Sequence, residues 1–269
     1  MAFIDIINAS KIYGTRHVLD HVNLSIEKGE FVSIVGYSGS GKTTLIGMAS
    51  GLFGATTGHV LINGKPVTSF APRAAIVFQN YSLLPWFSAL ENVRLAVEAA
   101  FPDWSVQKQR GQAIKFLEIV GLKNAIEKRP SQLSGGMRQR VSIARAFAVE
   151  PDVLFLDEPF GALDALTRAN LQKELLAMRS SIGASVTTLM ITNSVDEAIL
   201  LSDRIIPLSR GPKATLGPSI PIPHDVDEDY VRARVIDFLT GFTHTPDVET
   251  HREVTAVAAA GAIPQEVEP

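Results

Sequence analysis

Apolar positions along this chain fall into two rhythms, short continuous or alternating runs and longer stretches at helical spacing. Residues 4–9 and 22–26 are apolar stretches on either side of a polar, turn-rich segment, which predicts an opening hairpin. Phe31–Val35 reads as a buried strand, and a glycine-rich turn separates it from a helix expected over Lys42–Ser50. Residues 58–63 alternate in strand fashion and end in Asn63-Gly64, a tight-turn signal. Residues 74–78 predict another buried strand, and residues 88–126 read as helices interrupted around Pro102. A helix over residues 134–149 leads into an apolar strand at 153–156, and a long helix at 166–180 leads into a strand at 187–192. A short helix at 196–201 and a strand at 204–208 close the alternation. Strands alternating with helices imply an α/β sheet covered by helices, with the helical stretch at 85–135 as a separate lobe.

The pattern changes after Arg210. Residues 211–223 are rich in Pro and Gly and read as an irregular strap, and 229–241 fit one short amphipathic helix. From about residue 243 the chain is rich in Ala, Glu, Val and Pro, and disorder is expected. Composition narrows the picture mainly by exclusion. Apolar residues make up 46% of the 269 and charged residues 20%, as in a globular protein with a core. A formal charge of -3 gives no electrostatic case for nucleic acid or an anionic membrane surface. The absence of cysteine rules out thiolate chemistry and disulfides. The opening residues reach an acid at Asp5 with no basic stretch before an apolar one, so no signal peptide is expected. No apolar run approaches the ~18 residues of a spanning helix, so a membrane role requires partner subunits.

The glycine-rich turn carries the first chemistry. Gly36-Tyr37-Ser38-Gly39-Ser40-Gly41-Lys42-Thr43, followed by Thr44, matches the phosphate-binding pattern G-x-x-x-x-G-K-[ST] between a strand and a helix. Its glycines let backbone N–H groups converge on phosphate oxygens, and the following helix adds its positive end. Lys42 is placed to meet the β and γ phosphates of ATP, and the Thr43 hydroxyl to ligate Mg²⁺. The strand at 153–156 ends in Asp157-Glu158-Pro159, at the sheet edge where α/β ligands bind. Asp157 is expected in the Mg²⁺ shell and Glu158 as general base for an attacking water.

Leu133-Ser134-Gly135-Gly136-Met137-Arg138-Gln139-Arg140 is a second candidate anion site, with Ser134 as N-cap and two glycines exposing N–H groups ahead of a helix. It resembles the LSGGQ signature of ABC ATPases, with Met137 where that pattern has Gln. With the two preceding motifs in the same order, residues 2–210 are similar to an ABC nucleotide-binding domain. The resemblance implies an α/β fold, a P-loop NTPase core of the ABC ATPase type with an antiparallel β subdomain and a helical subdomain. Residues 1–210 would form the domain, 211–242 a short extension and 243–269 the disordered tail. It also implies a head-to-tail dimer in which Ser134, Gly135 and Gly136 meet ATP held by the opposite subunit. Tyr13 takes the place of the aromatic that stacks on adenine, with a hairpin core tyrosine as the other reading. Gln79 matches the glutamine that contacts Mg²⁺ and water, and Ala162-Leu163-Asp164 the loop that crosses the dimer interface.

One landmark differs. The family usually has a histidine on the γ-phosphate where this chain has Asn193, between Thr192 and Ser194. An amide donates a neutral hydrogen bond but cannot shuttle a proton near neutral pH. Two consequences stay open: a slow site beside a non-identical partner ATPase that has the histidine, or a competent site in which Glu158 suffices. The first is the favoured expectation.

Gln79-Asn80-Tyr81-Ser82-Leu83-Leu84-Pro85-Trp86 followed by Glu91-Asn92-Val93 resembles bacterial importers of the nitrate, taurine and sulfonate branch. Trp86 and Phe87 would then lie on the surface that receives a permease helix. The stretch from Leu200 to Gly217 is similar to nitrate/nitrite, cyanate and bicarbonate importers. The resemblance thus implies permease subunits, a second ATPase subunit, a solute-binding protein in the same system, no nucleic acid, and a peripheral place on the cytoplasmic face of the inner membrane. Nitrate is the expected solute. The alternative is a soluble ABC-type ATPase acting on nucleic acid or ribosomes, a class that carries coiled-coil insertions or two cassettes. A GTPase is disfavoured by the lack of an Asn-Lys-x-Asp motif.

Overall fold

The chain begins with a hairpin whose polar middle is paired across register shifts. The structure, a computed structural model, describes residues 2–71, 73–182, 186–223 and 227–241. Strands β1 (Ile4–Tyr13) and β2 (Arg16–Ile26) run antiparallel down to Tyr13 opposite Arg16, where Gly14 makes the turn at φ +58°. The apolar stretches predicted only the far ends of these strands, because the turn-proximal pairs, Lys11 with Leu19, Ile12 with His17 and Tyr13 with Arg16, each set an apolar residue against a polar one. Strand β3 (Phe31–Val35) and helix α1 (Lys42–Ser50) follow, and the chain then returns to the hairpin. There β4 (Thr57–Ile62) pairs with β1, and β5 (Lys65–Pro66) pairs with β4 across the Asn63-Gly64 turn, giving sheet order β2-β1-β4-β5.

The second sheet is the centre of the molecule. After β6 (Ala74–Val77) come α2 (Ala89–Ala100) and α3 (Val106–Ile119), two single-turn 3₁₀ segments at Lys123–Ala125 and Pro130–Gln132, and α4 (Gly135–Ala148). Then β7 (Val153–Asp157), α5 (Ala165–Ile182), β8 (Thr187–Thr192), α6 (Val195–Leu201) and β9 (Arg204–Pro207) alternate. The spatial order is β10-β9-β3-β8-β7-β6, parallel except for β10 (Ile220–Pro221). Strands β3, β6, β7 and β8 are buried at every position, as strands of a sheet covered on both faces must be.

Successive side chains on these strands feed two different cores. Leu154, Leu156, Val77 and Met190 join one cluster with Leu90, Val93, Phe116, Phe147 and Leu175 from the helices. Val153, Phe155, Ile34 and Ile191 face the other way, onto Leu45 and Met48 of α1 and onto Ile4, Leu19 and Val22 of the hairpin. Helices α2 and α3 therefore share one continuous core with the sheet through α4. Helix α7 (Glu228–Thr240) buries Val231 and Val235 against Ala198, Ile199 and Ile205, so the strap and its helix pack on the cassette. The disorder expected from residue 243 lies outside the described residues.

Because the parallel strands share one direction, the loops after β3, β6, β7 and β8 emerge at one edge of the sheet. Those loops begin at Gly36, Phe78, Glu158 and Asn193.

Candidate functional site

The loop after β3 has a conformation that β-carbons would obstruct. Gly39 and Gly41 adopt φ +77° and +105°, the left-handed region. A β-carbon on Gly41 would lie 2.9 Å from Val18 Cγ1, so β2 presses the loop from behind. On Gly36 it would come within 3.0 Å of the Leu208 carbonyl oxygen. Gly41 caps α1 without a side-chain bond, which leaves the first N–H groups of that helix to another acceptor. Ser38 and Gly39 face solvent, whereas Ser40 is buried and its hydroxyl has no hydrogen-bond partner.

Lys42 begins α1, and its ammonium is the hub of the site. It donates to the carbonyls of Gly36 (2.8 Å) and Tyr37 (2.9 Å) and to Asn193 Oδ1 (2.6 Å), and lies 3.3 Å from Glu158 Oε1. Burial pushes its pKa down, and the neighbouring carboxylates of Glu158 and Asp157 oppose that shift. Glu158 Oε2 accepts from Gln79 Nε2 (3.2 Å) and from Asn193 Nδ2 (2.9 Å). Glu158 stands at φ +44°, immediately after β7, with its N–H bonded to the Ile191 carbonyl at 3.0 Å. That bond fixes a conformation that non-glycine residues rarely adopt.

One step away, the Thr43 hydroxyl donates to Asp157 Oδ1 at 3.1 Å. Burial raises the Asp157 pKa, and the Thr43 bond works against it. A threonine hydroxyl, a carboxylate and the Gln79 amide form an all-oxygen donor set once Gln79 turns its carbonyl inward. That set suits a hard cation such as Mg²⁺. The open glycine cradle, the helix end and the buried ammonium suit a polyphosphate.

The structure thus brings together Gly36, Lys42, Thr43, Gln79, Asp157, Glu158 and Asn193, and leaves three predicted groups apart. Tyr13 sits at the hairpin tip, half exposed, edge-on to Phe53 at 6.3 Å between ring centres, with the Lys11 ammonium 5.2 Å from its ring. Thr44 is half-buried behind Thr43 in α1. Ser134 caps α4, accepting from the Met137 N–H at 3.3 Å, and Gly136 is so close to α5 that a β-carbon would meet Thr167 Cγ2 at 2.6 Å. Among the described residues, no hydrogen bond links Ser134, Gly135 or Gly136 to the Lys42 cluster.

Two cavities adjoin these elements. One of about 390 Å³ lies beside the loop, lined by Tyr37, Ser38, Gly39, Ser40, Arg210 and Gly211, with the Arg210 guanidinium 3.9 Å above the Tyr37 ring. A larger apolar groove of about 700 Å³ lies away from the phosphate loop, between Phe70, Ile76 and Phe78 on one side and Ala96, Ala100 and Phe101 on the other.

A family model described as ABC transporter matches residues 19–161, more than half of the chain. This chain belongs to the ABC transporter family. Its sequence is 48% identical over 241 residues to the nitrate import ATP-binding protein NrtD of Synechococcus elongatus, covering 85% of this chain and 87% of that one. It is 46% identical over 240 residues to the bicarbonate transport ATP-binding protein CmpD of Synechocystis sp., covering 88% and 84%. Among solved structures, the dimeric ATP-binding cassette MJ0796 in a post-hydrolysis state with ADP and Pi superposes with a TM-score of 0.73 at 31% identity. That match covers 82% of this chain and 99% of the cassette. The chain is therefore an ABC-type ATPase with the P-loop fold.

Sequence reasoning missed the residues that hold these loops in place. Glu197 and Arg168 flank the Asn193 loop, and their only signal was the spacing Ser194-x-x-Glu197, a helix-capping pattern. Arg145 of α4 donates to the carbonyls of Tyr81 (3.0 Å) and Ser82 (2.5 Å), which stand at φ +64° and +46° just after Gln79. Its signal was a lone cation in the apolar stretch from Val141 to Ala148.

At Gly41 a side chain meets both φ +105° and the wall of Val18. A strained left-handed residue costs about 1–3 kcal/mol. Gly41→Ala should therefore lower the melting temperature by several degrees, and relaxation of the loop out of the strained conformation should weaken ATP binding by about tenfold or more. Fluorescent-nucleotide titration reads this directly, and wild-type affinity would show that the cradle does not need its glycine.

Proposed function

We propose that this chain is the ATP-binding and ATP-hydrolysing subunit of an importer for a small inorganic oxyanion, with nitrate as the solute. It would be attached to permease subunits at the cytoplasmic face of the membrane, in a system with its own solute-binding protein. The observation that carries the reading is the convergence of Lys42, Glu158, Gln79 and Asn193 at one sheet edge, beside the Thr43–Asp157 pair. The names of the nitrate and bicarbonate relatives support the transport class, and nitrate is the solute we choose within the nitrate, cyanate and bicarbonate group that residues 200–217 resemble. The same names give the nucleic-acid and ribosome alternative no support.

The residues divide the work. The glycine cradle and the start of α1 receive the phosphates, and Lys42 exchanges Asn193 and Glu158 for β and γ oxygens. Thr43, Asp157 and Gln79 are the groups to hold Mg²⁺, which when bound neutralises phosphate charge. Glu158, released from Lys42, accepts a proton from the water that attacks the γ phosphorus, yielding ADP and inorganic phosphate. Asn193 orients Glu158 and offers one neutral donor to a phosphate oxygen, but it takes no proton. Tyr13 at the hairpin tip is the adenine platform, and Ser134, Gly135 and Gly136 face the nucleotide of a second subunit.

That second subunit is proposed to be non-identical and to carry a histidine where this chain has Asn193. The apolar groove between β6 and α2 suits a permease helix, and the exposed Trp86 with its edge-on neighbour Phe87 suits the same face.

Glu158→Gln in the assembled complex should lower turnover by about 10²–10⁴-fold while ATP binding persists. Retained turnover would remove Glu158 from the role of base. Nitrate delivered with its binding protein should stimulate the native complex, and stimulation by bicarbonate alone would overturn the nitrate assignment. Asn193→His should raise turnover if the amide limits this site, whereas unchanged turnover would remove that limit.

A further inference from the structure

Glu197 is a buried carboxylate that the hydrolytic reading leaves unused. It lies in the first turn of α6, 5% exposed, and both of its oxygens face a neighbour. Oε2 accepts from the Thr192 hydroxyl at 2.7 Å, and that hydroxyl accepts in turn from the Ser194 N–H at 3.0 Å. The Ser194 hydroxyl closes the turn by accepting from the Glu197 N–H at 3.2 Å. The residues on both sides of Asn193 are thereby pinned to one carboxylate.

The other oxygen looks toward a different loop. Oε1 lies 3.6 Å from Arg168 Nε, which has no hydrogen-bond acceptor of its own. Arg168 Nη2 donates to the Leu163 carbonyl at 3.1 Å, and the Arg168 N–H to that of Asp164 at 2.9 Å. Leu163 is buried, but Ala162 and Asp164 on either side are exposed, and Leu166 is 74% exposed in the first turn of α5. A large apolar side chain left in solvent beside an exposed loop is the kind of surface a second subunit covers.

Holding Thr192 does not require a charge at position 197, since a glutamine carbonyl would accept the same bond. A buried carboxylate is disfavoured by desolvation, and a partner 3.6 Å away returns little of that cost. Burial raises the Glu197 pKa, and the Thr192 hydroxyl and the Arg168 charge work against that shift. Arg168 is thus the cation facing Glu197, and its other contacts lead to the 162–164 loop.

We propose that Glu197 and Arg168 are a positioning pair that couples the 162–164 loop to the Asn193 turn, so that docking of the second ATPase subunit on that loop holds the Asn193 amide in place once ATP has drawn Lys42 away from it. This rests on the reading of the chain as one ATPase of a pair. Neither residue of the pair touches nucleotide, so their effect falls on turnover rather than on ATP affinity.

The test uses the purified permease–ATPase complex with Glu197→Gln, Arg168→Met, both together, and Arg168→Lys. Each of the first two should lower kcat by about tenfold with KM for ATP unchanged, and the double variant should be no slower than the worse single, as coupled residues require. Arg168→Lys should recover part of the loss, because it restores the charge facing Glu197. Melting temperatures close to the native value for Arg168→Met and Arg168→Lys would separate positioning from folding, should Glu197→Gln lose stability. A native kcat in both single variants, losses that multiply in the double, or a KM rising in step with falling kcat would each overturn the pairing. A native complex without ATP hydrolysis would overturn the underlying functional reading as well, which is a different result from active complexes with indifferent variants.

Discussion

The ammonium of Lys42 is buried among two backbone carbonyls, one amide and one carboxylate, and the rest of the site is arranged around it. Such a charge is tolerated only where every surrounding oxygen is placed to meet it. That demand fixes the loop carbonyls of Gly36 and Tyr37, the strand end bearing Glu158 and the turn bearing Asn193. Each of these belongs to a different segment of sequence. What joins them is a parallel sheet whose loops all leave from one edge.

The sheet can do this because its strands are dry on both faces. Hairpin and α1 side chains cover one face, and α2 to α5 cover the other. The two coverings also serve the chemistry. Val18 and Leu19 of the hairpin press against Gly41 and hold the phosphate loop open. Helix α4 carries Ser134 at its start and Arg145 near its end, so one rigid element spans the signature and the loop after Gln79. Arg145 and Ser82 also line the apolar groove, so α4 reaches from Ser134 to that groove.

The sequence made the central elements readable because strand burial on both faces leaves nearly continuous apolar runs, as in Phe31–Val35, broken only by Ser33, and in residues 153–156. The phosphate loop was readable because glycine spacing and a following lysine are local. The full length of the hairpin was not, since its turn-proximal pairs, Lys11 with Leu19, Ile12 with His17 and Tyr13 with Arg16, set polar against apolar residues across register shifts and leave no continuous apolar signature. The position of Arg168 beside Glu197 was invisible for another reason: 28 intervening positions separate them in sequence, and only the fold brings them together. Asn193 was identified as a departure from the family, but its simultaneous bonds to Lys42 and Glu158 needed the structure. Those bonds give the amide a definite place in the site, tying the Lys42 ammonium to the Glu158 carboxylate.

The central claim is that ATP displaces Lys42 from Asn193 and Glu158 and frees the carboxylate for water. A structure of the native chain with a non-hydrolysable ATP analogue and Mg²⁺ measures this most directly. The account predicts the Lys42 ammonium on β and γ oxygens, with Asn193 Oδ1 beyond hydrogen-bond reach of it and Glu158 turned to a water near the γ phosphorus. Phosphates bound while Lys42 keeps its bonds to Asn193 and Glu158 would contradict it.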